Sequence, residues 1–335
     1  MKKTKIAING FGRIGRAAFR LISDRDDCEV VAINDLTDNK TLAHLLQYDS
    51  VFRKYDKEVT FDKDNIIVNG KKYFTLAIPE PVKLPWGERD VDVVLECTGF
   101  FVKDGTAYGH IDAGAKRVVL SAPVKGEGDV DTYVMGVSEP TDESTHVISN
   151  ASCTTNCIAP VMKVIDEMFG VEKSLMTTIH SYTSTQKLQD SPAKDLRKAR
   201  AAAQNIIPTT TGAAIAATLV LPQLRDKFDG MAMRVPTIDA SISDITIVTK
   251  KEVTEKEIND AFIEAASGEL KGVLGVTEDM LVSSDFIGDN HSTIVDLPLT
   301  KVVGGNLVKV VAWYDNEWGY ANRLVDIAVI QGELI

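Results

Sequence analysis

Long apolar runs are absent from this sequence of 335 residues. No stretch approaches the ~18 consecutive apolar residues that a membrane-spanning helix needs. The apolar run near the N-terminus is also too short for the core of a secretory signal peptide. We therefore expect no membrane span and a cytoplasmic protein.

Basic residues are scarce as well, since 37 Lys and Arg stand against 48 Asp and Glu, for a net charge of −11. Nonspecific binding to nucleic acid or to anionic membranes usually needs a basic face, so we expect neither partner. A small anionic substrate is not excluded, because a few local Arg or Lys residues can dominate one cleft. With 44% hydrophobic and 25% charged residues, the chain has the composition of a folded protein, and its length favours two domains.

Cysteine is too rare for a disulfide framework, with four residues at Cys28, Cys97, Cys153 and Cys157. Cys28 and Cys97 lie in or beside apolar, strand-like runs and are expected to be packing residues. A structural zinc site needs about four ligands. The five histidines offer no pair at metal-ligand spacing, so we expect no metal.

The first 35 residues follow a strand–helix–strand pattern. "KTKIAING" is typical of a short buried strand, "FGRIGRAAFRLI" has apolar residues at helical spacing, and "CEVVAIND" is a second apolar strand that ends at Asp35. Further strand-like runs occupy 91–99 and 115–123, with a helical stretch between them. Such units build parallel sheets, so the pattern predicts an α/β domain.

After Pro160 the sequence contains longer runs rich in Thr, Val and Ile, among them "SLMTTIHSYT", "MAMRVPTIDASISDITIVTK" and "NLVKVVAWYD". "ISDITIVTK" alternates in places, as a sheet with one covered face does. This predicts a second domain with an antiparallel or mixed sheet. The tail "WGYANRLVDIAVIQGELI" returns to helical periodicity, and 184–205 is expected to be a surface or interface loop.

A dinucleotide-binding pattern occurs in "GFGRIG", with Gly10, Gly12 and Gly15. The three glycines allow a tight turn, close approach of the backbone to a pyrophosphate, and close packing of helix on sheet. Asp35 follows Gly15 by twenty residues, which suits a carboxylate that binds the adenosine ribose hydroxyls. It would repel a 2′-phosphate, so NAD is favoured over NADP. The alternative is a glycine-rich structural turn with an incidental aspartate.

The segment "SNASCTTNCIAP" (149–160) places Cys153 at the expected start of a helix. Ser152 is a good N-cap, and Pro160 is tolerated in a first turn or at a kink. Aligned peptide dipoles and free N–H groups at a helix start stabilise a thiolate. We therefore expect the pKa of Cys153 to be lowered, with Cys157 one turn further in and deeper.

Four interpretations of this cysteine pair are a metal site, a disulfide, buried packing and a nucleophile. A disulfide between residues four apart in a helix closes almost no loop. Packing suits Cys157 better than Cys153, which has polar neighbours. His180, at the end of the strand-like "MTTIHSYTS", is a candidate base for Cys153, although a lone histidine is usually structural.

Six segments together resemble the phosphorylating glyceraldehyde-3-phosphate dehydrogenases: "INGFGRIGR", "SNASCTTNCIAP", "TTIHSYT", "IIPTTTGAA", "GMAMRVP" and "WYDNEWGY". The resemblance runs in order over nearly the whole chain. It implies a Rossmann domain with a doubly wound parallel sheet at 1–150, completed by the C-terminal helix 316–335. It also implies an α+β catalytic domain with a mixed or antiparallel sheet at 151–315, and a homotetramer.

The resemblance also implies residue roles. Cys153 would be the nucleophile and His180 the acid and base, with Thr183 and Arg234 on the C3 phosphate of the substrate. Inorganic phosphate would be held by Ser152, Thr154, Thr211 and Gly212, with Lys198 at the border of the phosphate sites. The cofactor NAD would contact Gly10, Phe11, Gly12, Arg13, Ile14, Gly15, Asn34, Asp35, Thr98, Gly99, Ser121, Asn316 and Tyr320. Among these, Asn316 would bind the nicotinamide carboxamide. Leu36 and Pro192 are typical of NAD-using members.

The activity that the resemblance implies is NAD-dependent oxidation of glyceraldehyde 3-phosphate, with inorganic phosphate, to 1,3-bisphosphoglycerate through a cysteine thioester. One alternative is an erythrose-4-phosphate dehydrogenase, which shares this architecture. Another is an additional non-catalytic role, such as surface adhesion or redox sensing through Cys153.

The sequence departs from the family pattern at three places. Ile215 replaces the lysine of the usual "GAAKAV", and Lys198 stands where many members have arginine. Lysine keeps the charge but loses the bidentate fork of arginine. The segment "RVPTIDASISDIT" replaces the common "RVPTPNVSVVDLT". We expect these changes to affect phosphate affinity and interface detail and to leave Cys153 and His180 intact.

Overall fold

The computed structural model describes residues 3–103, 105–126 and 130–335. Its contacts divide the chain into two compact units. The first comprises 1–133, 139–151 and 321–335, and the second comprises 134–138 and 152–320. Within the described residues, no helix combines the length and the apolar character needed to cross a membrane.

The first unit contains eleven strands and three α-helices among its described residues, besides most of the C-terminal helix. The strands are β1 (Thr4–Asn9), β2 (Cys28–Asn34), β3 (Tyr48–Asp49), β4 (Arg53–Lys54), β5 (Val59–Phe61), β6 (Asn65–Val68), β7 (Lys71–Leu76), β8 (Val93–Glu96), β9 (Arg117–Leu120), β10 (Asp131–Thr132) and β11 (Val147–Ser149). The helices are α1 (Arg13–Ile22), α2 (Asn39–Gln47) and α3 (Gly109–Asp112).

Nine of these strands form one sheet in the order β10-β11-β9-β8-β1-β2-β7-β6-β5. All pairs from β10 to β7 are parallel, and the edge strands β6 and β5 are antiparallel. The strand order reverses at β1, because β2 lies on one side of it and β8 on the other. The predicted doubly wound parallel sheet is therefore confirmed. Ligands of such sheets bind outside the carboxyl ends of the strands at this reversal.

Apolar strand residues make the core of this unit. Ile6 and Ile8 of β1 and Leu95 of β8 are fully buried, and they pack with Phe19 of α1. The residues of the C-terminal helix that belong to this unit pack into the same core, including Leu324. Burial on both faces explains why β1, β2 and β8 are nearly continuous apolar runs.

The second unit contains eight strands and three helices among its described residues, and it also contains the first turn of a fourth helix. The strands are β12 (Val171–Ser181), β13 (Ile207–Thr210), β14 (Phe228–Val235), β15 (Ser241–Thr249), β16 (Leu274–Thr277), β17 (Thr293–Asp296), β18 (Lys301–Val303) and β19 (Leu307–Tyr314). The helices are α4 (Cys153–Phe169), α5 (Ala213–Val220), α6 (Glu255–Ser267) and α7 (Trp318–Glu333), which continues into the first unit.

The sheet of this unit has the order β13-β14-β12-β15-β19-β17-β16, with β18 paired to β19. β12 runs parallel to β14 and antiparallel to β15, so the sheet is mixed, as the sequence predicts. Along β15, buried and half-buried residues alternate at every position. Helix α4 lies against this sheet with Ile158, Val161 and Ile165 fully buried.

Candidate active site

The loop between β1 and α1 meets the geometric demands of a dinucleotide site. Gly10 has φ +93°, and a Cβ there would lie 2.8 Å from the Thr98 nitrogen. A Cβ on Gly15 would lie 2.2 Å from the Gly10 carbonyl oxygen, so helix and loop pack too closely for any side chain. Gly12, in contrast, faces open space, and no side chain caps the first N–H groups of α1. A helix start without a side-chain cap, next to a glycine that faces open space, is a typical place for a pyrophosphate to bind.

Asp35 lies at the carboxyl end of β2, beside this loop. One carboxylate oxygen accepts the Phe11 N–H at 2.8 Å, and the other accepts the Thr37 N–H at 2.9 Å. Each oxygen keeps a free lone pair for a ribose hydroxyl. Gly10, Gly12, Asn34, Asp35, Leu36, Thr98 and several neighbours line a cleft of about 560 Å³. The donors, the open space at Gly12 and the carboxylate fit NAD.

The remaining predicted cofactor residues of the first unit are divided between the cleft and the core. Phe11 is fully buried and Ile14 packs against the core, so their backbone groups are what they can offer a cofactor. Arg13 forms an ion pair with Asp49. Gly99 has φ +71°, and the Ser121 N–H donates to the Glu96 carbonyl at 3.0 Å, next to Thr98.

A buried polar network under this cleft was missed by the sequence analysis. Trp86 Nε1–H donates to His110 Nδ1 at 2.9 Å, which leaves His110 Nε2–H to face a Glu96 oxygen at 3.1 Å. The other Glu96 oxygen accepts the Thr98 N–H at 2.7 Å. The network therefore holds Thr98, where the cleft begins. Its signal in the sequence was an acidic residue inside the apolar run "VVLE".

Cys153 and His180 come together in the second unit. Ser152 caps α4 by accepting the Thr155 N–H at 3.1 Å, which places Cys153 at the first position of the helix. His180 precedes the last residue of β12. Cys153 Sγ lies 3.5 Å from His180 Nε2. At this distance a histidine can act as the base for a cysteine nucleophile.

The pKa of Cys153 differs from the sequence expectation. Burial raises the pKa of this thiol, and the Arg234 charge together with hydrogen bonds at the helix start offsets only part of that rise. The expected lowering is therefore wrong for this structure, because desolvation of the thiolate outweighs the helix terminus. Burial also raises the pKa of Cys28 and Cys157, each to about 12.

Arg234 and the Ser181 carbonyl both contact Nδ1 of His180. The two residues are neighbours in register on β14 and β12. Arg234 Nη1 lies 2.6 Å from His180 Nδ1, and the Ser181 carbonyl lies 2.7 Å from the same nitrogen. Burial, and then the Arg234 charge, lower the pKa of His180 to about 3, so the imidazole is neutral at neutral pH. In one tautomer Nδ1–H donates to the Ser181 carbonyl and the Nε2 lone pair faces Cys153; in the other, Nδ1 accepts from Arg234 Nη1–H and Nε2–H faces Cys153.

Two of the predicted phosphate-binding residues, Thr211 and Gly212, lie near the start of α4. Thr211 and Gly212 precede α5, and the Thr155 hydroxyl at the start of α4 donates to the Ala213 carbonyl at 3.4 Å. The starts of α4 and α5 are therefore adjacent. Gly212 has no neighbour within 4 Å of a Cβ position, so the backbone there is open to an anion.

Thr183 and Lys198 lie in or beside the long loop after β12. The backbone N–H of Thr183 donates to Gln186 Oε1 at 2.8 Å, and its hydroxyl lies 2.9 Å from that of Thr185. Lys198 lies 3.9 Å from the Asp195 carboxylate, its one ion pair within the described part of the chain. The structure does not place Lys198 in contact with the other predicted phosphate residues.

Tyr314 was also missed by the sequence analysis, although it is fully buried beside His180 and the start of α4. Its hydroxyl lies 2.9 Å from that of Thr154 and 2.8 Å from that of Thr178. Its ring packs edge-on against His180, with 6.0 Å between centroids. Tyr314 thus supports both the start of α4 and the imidazole.

Asn316 and Tyr320, the predicted cofactor residues of the second unit, are both buried. The Ser241 hydroxyl donates to Asn316 Oδ1 at 2.6 Å, which leaves the Asn316 amide N–H groups for a partner carbonyl. Ser241 was not a predicted site residue. The hydrogen bond by which Ser241 orients Asn316 was not predictable, because the two residues are 75 positions apart in the sequence.

Two family models match this chain. They are the glyceraldehyde 3-phosphate dehydrogenase NAD binding domain, over residues 4–104, and the glyceraldehyde 3-phosphate dehydrogenase C-terminal domain, over residues 152–316. The glyceraldehyde-3-phosphate dehydrogenase 1 of Bacillus subtilis strain 168 is 54% identical over 326 residues, 97% of each chain. The enzymes of that name from Geobacillus stearothermophilus and Streptomyces coelicolor are each 54% identical, over 97% and 98% of both chains.

Proposed function

The chain belongs to the glyceraldehyde-3-phosphate dehydrogenase family, and we propose that it oxidises glyceraldehyde 3-phosphate with NAD and passes the acyl group to inorganic phosphate. The observation that carries this proposal is Cys153 Sγ at 3.5 Å from His180 Nε2, with Arg234 beside the imidazole. The reaction is the NAD-dependent aldehyde oxidation of glycolysis.

Substrate capture depends on Arg234. Its guanidinium is a donor-rich cation in a largely desolvated position, and burial lowers its pKa without neutralising it at working pH. A phosphate on C3 of the substrate would draw Arg234 away from His180, with the half-buried Thr183 as a second donor. The anion would also compensate the charge that lowers the pKa of His180.

This movement prepares the base. Once Arg234 leaves Nδ1, that nitrogen can carry the ring proton and donate it to the Ser181 carbonyl, which lies 2.7 Å away. The Nε2 lone pair then faces Cys153 Sγ. Substrate binding would thus favour the tautomer of His180 in which Nε2 accepts the proton of Cys153.

The chemistry proceeds through a covalent intermediate. The Cys153 proton passes to His180 Nε2 as Sγ bonds to the aldehyde carbon, and the resulting oxyanion takes that proton back to give a hemithioacetal. Backbone N–H groups at the start of α4 are placed to stabilise the oxyanion. His180 then removes the hydroxyl proton. NAD, when bound, accepts the hydride, and what remains on Cys153 is a thioester.

Inorganic phosphate is the proposed acceptor of the acyl group. Ser152, Thr211 and the open backbone at Gly212 lie at the adjacent starts of α4 and α5, where the N-terminal ends of two helices favour an anion. The Thr154 hydroxyl is bonded to Tyr314, so Thr154 contributes chiefly by its position under this site. Phosphate attack on the thioester carbon releases 1,3-bisphosphoglycerate and returns the thiolate.

The experiment that tests this function compares NADH formation from glyceraldehyde 3-phosphate in the wild type, Cys153→Ser and His180→Asn. We expect no turnover with Cys153→Ser, and a loss of roughly 10²–10⁴-fold with His180→Asn because a general base is removed. Cys157→Ser serves as the matched control and should retain activity. Activity retained by Cys153→Ser would contradict the proposal.

An erythrose-4-phosphate dehydrogenase is the nearest alternative. Both substrates carry a terminal phosphate, and Arg234 would bind either, so the ratio of kcat/KM for the two aldehydes decides between them. We expect glyceraldehyde 3-phosphate to be preferred. A higher kcat/KM for erythrose 4-phosphate would overturn that part of the proposal.

A homotetramer is the proposed assembly. Leu175, Ile215 and Leu219 are 66%, 62% and 57% exposed, and they line a single cleft of about 850 Å³ on the second unit. Exposed apolar patches of this kind are typical of subunit interfaces. Sedimentation equilibrium should give four chains per particle, and Leu175→Asp should lower that number. A monomeric wild type would contradict the assembly.

A further inference from the structure

Three neighbouring strands of the first unit end in buried polar side chains. Asn9 is the last residue of β1, Asn34 of β2 and Glu96 of β8, and strand pairing places Asn9 opposite both of the others. All three are buried. The proposed cofactor residues that follow these strands in the chain are Gly10, Asp35 and Thr98. Because buried polar groups need partners, the bonds among the strand ends bear on how these cofactor residues are held.

A chain of hydrogen bonds runs along these strand ends in one direction. The Ile78 N–H, which can only donate, donates to Asn34 Oδ1 at 2.9 Å. Asn34 Nδ2–H therefore donates, to the Ile78 carbonyl at 2.9 Å and to Asn9 Oδ1 at 2.7 Å. This fixes the Asn9 amide in turn, and Asn9 Nδ2–H donates to Glu96 Oε2 at 2.5 Å. The chain of donors that begins at Ile78 thus ends at the Glu96 carboxyl group.

A second chain of donors reaches Glu96 from Trp86. The indole Nε1–H donates to His110 Nδ1 at 2.9 Å, so the proton of the uncharged imidazole lies on Nε2, 3.1 Å from Glu96 Oε2. Trp86 and His110 are both fully buried. The other carboxyl oxygen, Glu96 Oε1, accepts the Thr98 N–H at 2.7 Å and also the Thr98 hydroxyl.

Four donors therefore converge on the Glu96 carboxyl group, two on each oxygen. A carboxylate has about four lone-pair positions and only accepts, so it satisfies all four donors. Glutamine has nearly the same shape, but an NH₂ group replaces one oxygen. Whichever way its amide turned, two of the four donors would face that NH₂ group. The fully enclosed position thus calls for a carboxylate.

We propose that Glu96 is a positioning residue for NAD, which ties together the carboxyl ends of β1, β2 and β8 and so fixes the spacing of the glycine loop, Asp35 and Thr98. The proposal rests on the assignment of the adjoining cleft to NAD. The network residues that line this cleft are Asn9, Asn34, Ile78 and Thr98. Glu96 is not among them, so its effect on NAD passes through these residues.

Glu96→Gln should weaken NAD binding without slowing the chemistry. The Kd for NAD from isothermal titration calorimetry should rise roughly ten- to a hundredfold, because two buried donors lose their acceptor. At saturating NAD, kcat should stay within about twofold of the wild type, since Cys153 and His180 belong to the other unit. An unchanged Kd in a folded Glu96→Gln protein, or an equal loss in kcat, would overturn the proposal.

Trp86→Phe tests the same network and keeps the carboxylate. Without the indole N–H, the His110 proton can move to Nδ1, and Nε2 then faces Glu96 as a second acceptor. The Kd for NAD should rise by a smaller factor than in Glu96→Gln, again with kcat unchanged. An unchanged Kd in Trp86→Phe would overturn the proposal even if Glu96→Gln does not fold.

The double variant distinguishes a directed network from a loss of stability. With phenylalanine at 86 and glutamine at 96, Nε2 of His110 can accept from the new NH₂ group. The double variant should therefore bind NAD no more weakly than Glu96→Gln alone, whereas independent structural damage would add the two losses. Additive losses in Kd would overturn the proposal.

Val93→Ala is the matched control, because Val93 lies on β8 and is fully buried in the apolar core. It should lower the melting temperature and leave the Kd for NAD unchanged at a temperature where every variant is folded. An equal rise in Kd in Val93→Ala would show that the effect comes from stability. Asp35→Ala tests the underlying assignment separately, since unchanged NAD affinity in that variant would show that NAD does not use this cleft.

Discussion

Cys153 differs from the other cysteines in what surrounds its sulfur. Cys28 and Cys157 are buried, and burial raises the pKa of each to about 12. Cys153 has Arg234, the Thr154 hydroxyl and backbone N–H groups to offset its burial. Cys153 is also half-buried, whereas Cys28 and Cys157 are buried, so a small reagent reaches Cys153 more easily than either.

Limited alkylation should reveal this difference. With substoichiometric iodoacetamide at pH 8, we expect Cys153 to be carboxyamidomethylated first, with loss of activity in proportion. Because the pKa of Cys153 is raised in the protein alone, its alkylation rate should keep rising above pH 9. Peptide mass spectrometry gives the site, and labelling of Cys28, Cys97 or Cys157 with activity retained would contradict the assignment.

Arg234→Leu should act on two measurable quantities. Loss of a desolvated phosphate contact should cost about 2–5 kcal/mol in kcat/KM for glyceraldehyde 3-phosphate, and much less for unphosphorylated glyceraldehyde. The pKa of His180 should rise, because a neighbouring positive charge is removed, and the acid limb of the glyceraldehyde pH profile should move to higher pH.

Arg200→Leu is the control for that variant, since Arg200 is exposed and pairs with Asp190. It should leave both the kinetics and the pH profile unchanged. An equal loss on the two aldehydes in Arg234→Leu would indicate that Arg234 has a structural role instead.

The positions of individual residues were predictable where the neighbouring sequence alone determines the local structure. Cys153 could be placed by its N-cap and Asp35 by its spacing from the glycines. The partners that orient them could not, because Tyr314, Ser241 and the Glu96 network reach the site through sheet pairing between distant segments. The raised pKa of Cys153 was missed because burial is not visible in sequence.

Several of the proposed binding residues lie at the N-terminal ends of helices. At α1, two glycines allow an effect on NAD binding to be separated from an effect on stability. Gly12 faces open space and Gly15 contacts the Gly10 carbonyl. Gly12→Ala should therefore keep the melting temperature and weaken NAD binding, because the new methyl group occupies space left for the pyrophosphate. Gly15→Ala should lose stability by about 1–3 kcal/mol or more through overpacking. Equal effects of both changes on stability would contradict the predicted division of roles.

The N-caps of α4 and α6 form a second comparison. Ser152 caps α4, and Thr254 caps α6 in a capping box with Glu257. Ser152→Ala and Thr254→Ala should each cost about 1 kcal/mol in the free energy of unfolding. Only Ser152→Ala should also raise the KM for phosphate. If Thr254→Ala raises it equally, the effect comes from stability and not from the site.

The elements themselves were largely predictable, because their apolar periods are regular. The strands β1, β2 and β15 and the helices α1 and α4 follow the sequence patterns. The long run "MAMRVPTIDASISDITIVTK" proved to be two strands, with residues 236–240 between them. Strand order and the parallel pairing of β12 with β14 were not predictable, since both depend on packing between distant elements.

At the scale of the whole molecule, we propose that a protein with a negative net charge binds two anions, the substrate and inorganic phosphate. The net charge of −11 opposes binding of both phosphate groups at long range. Local groups must therefore supply the attraction, from Arg234 and from the helix starts at Ser152 and Gly212. Lys198, which pairs with Asp195 in this structure, adds at most a point charge.

The acceptor of the acyl group is the central claim, and one measurement tests it directly. NADH formation is followed by stopped flow with glyceraldehyde 3-phosphate and excess NAD in phosphate-free buffer, and phosphate is then added. We predict one NADH per active site, near arrest as the Cys153 thioester accumulates, and steady turnover once phosphate is present. Steady turnover without phosphate, unchanged on its addition, would show that water takes the acyl group and would contradict this account.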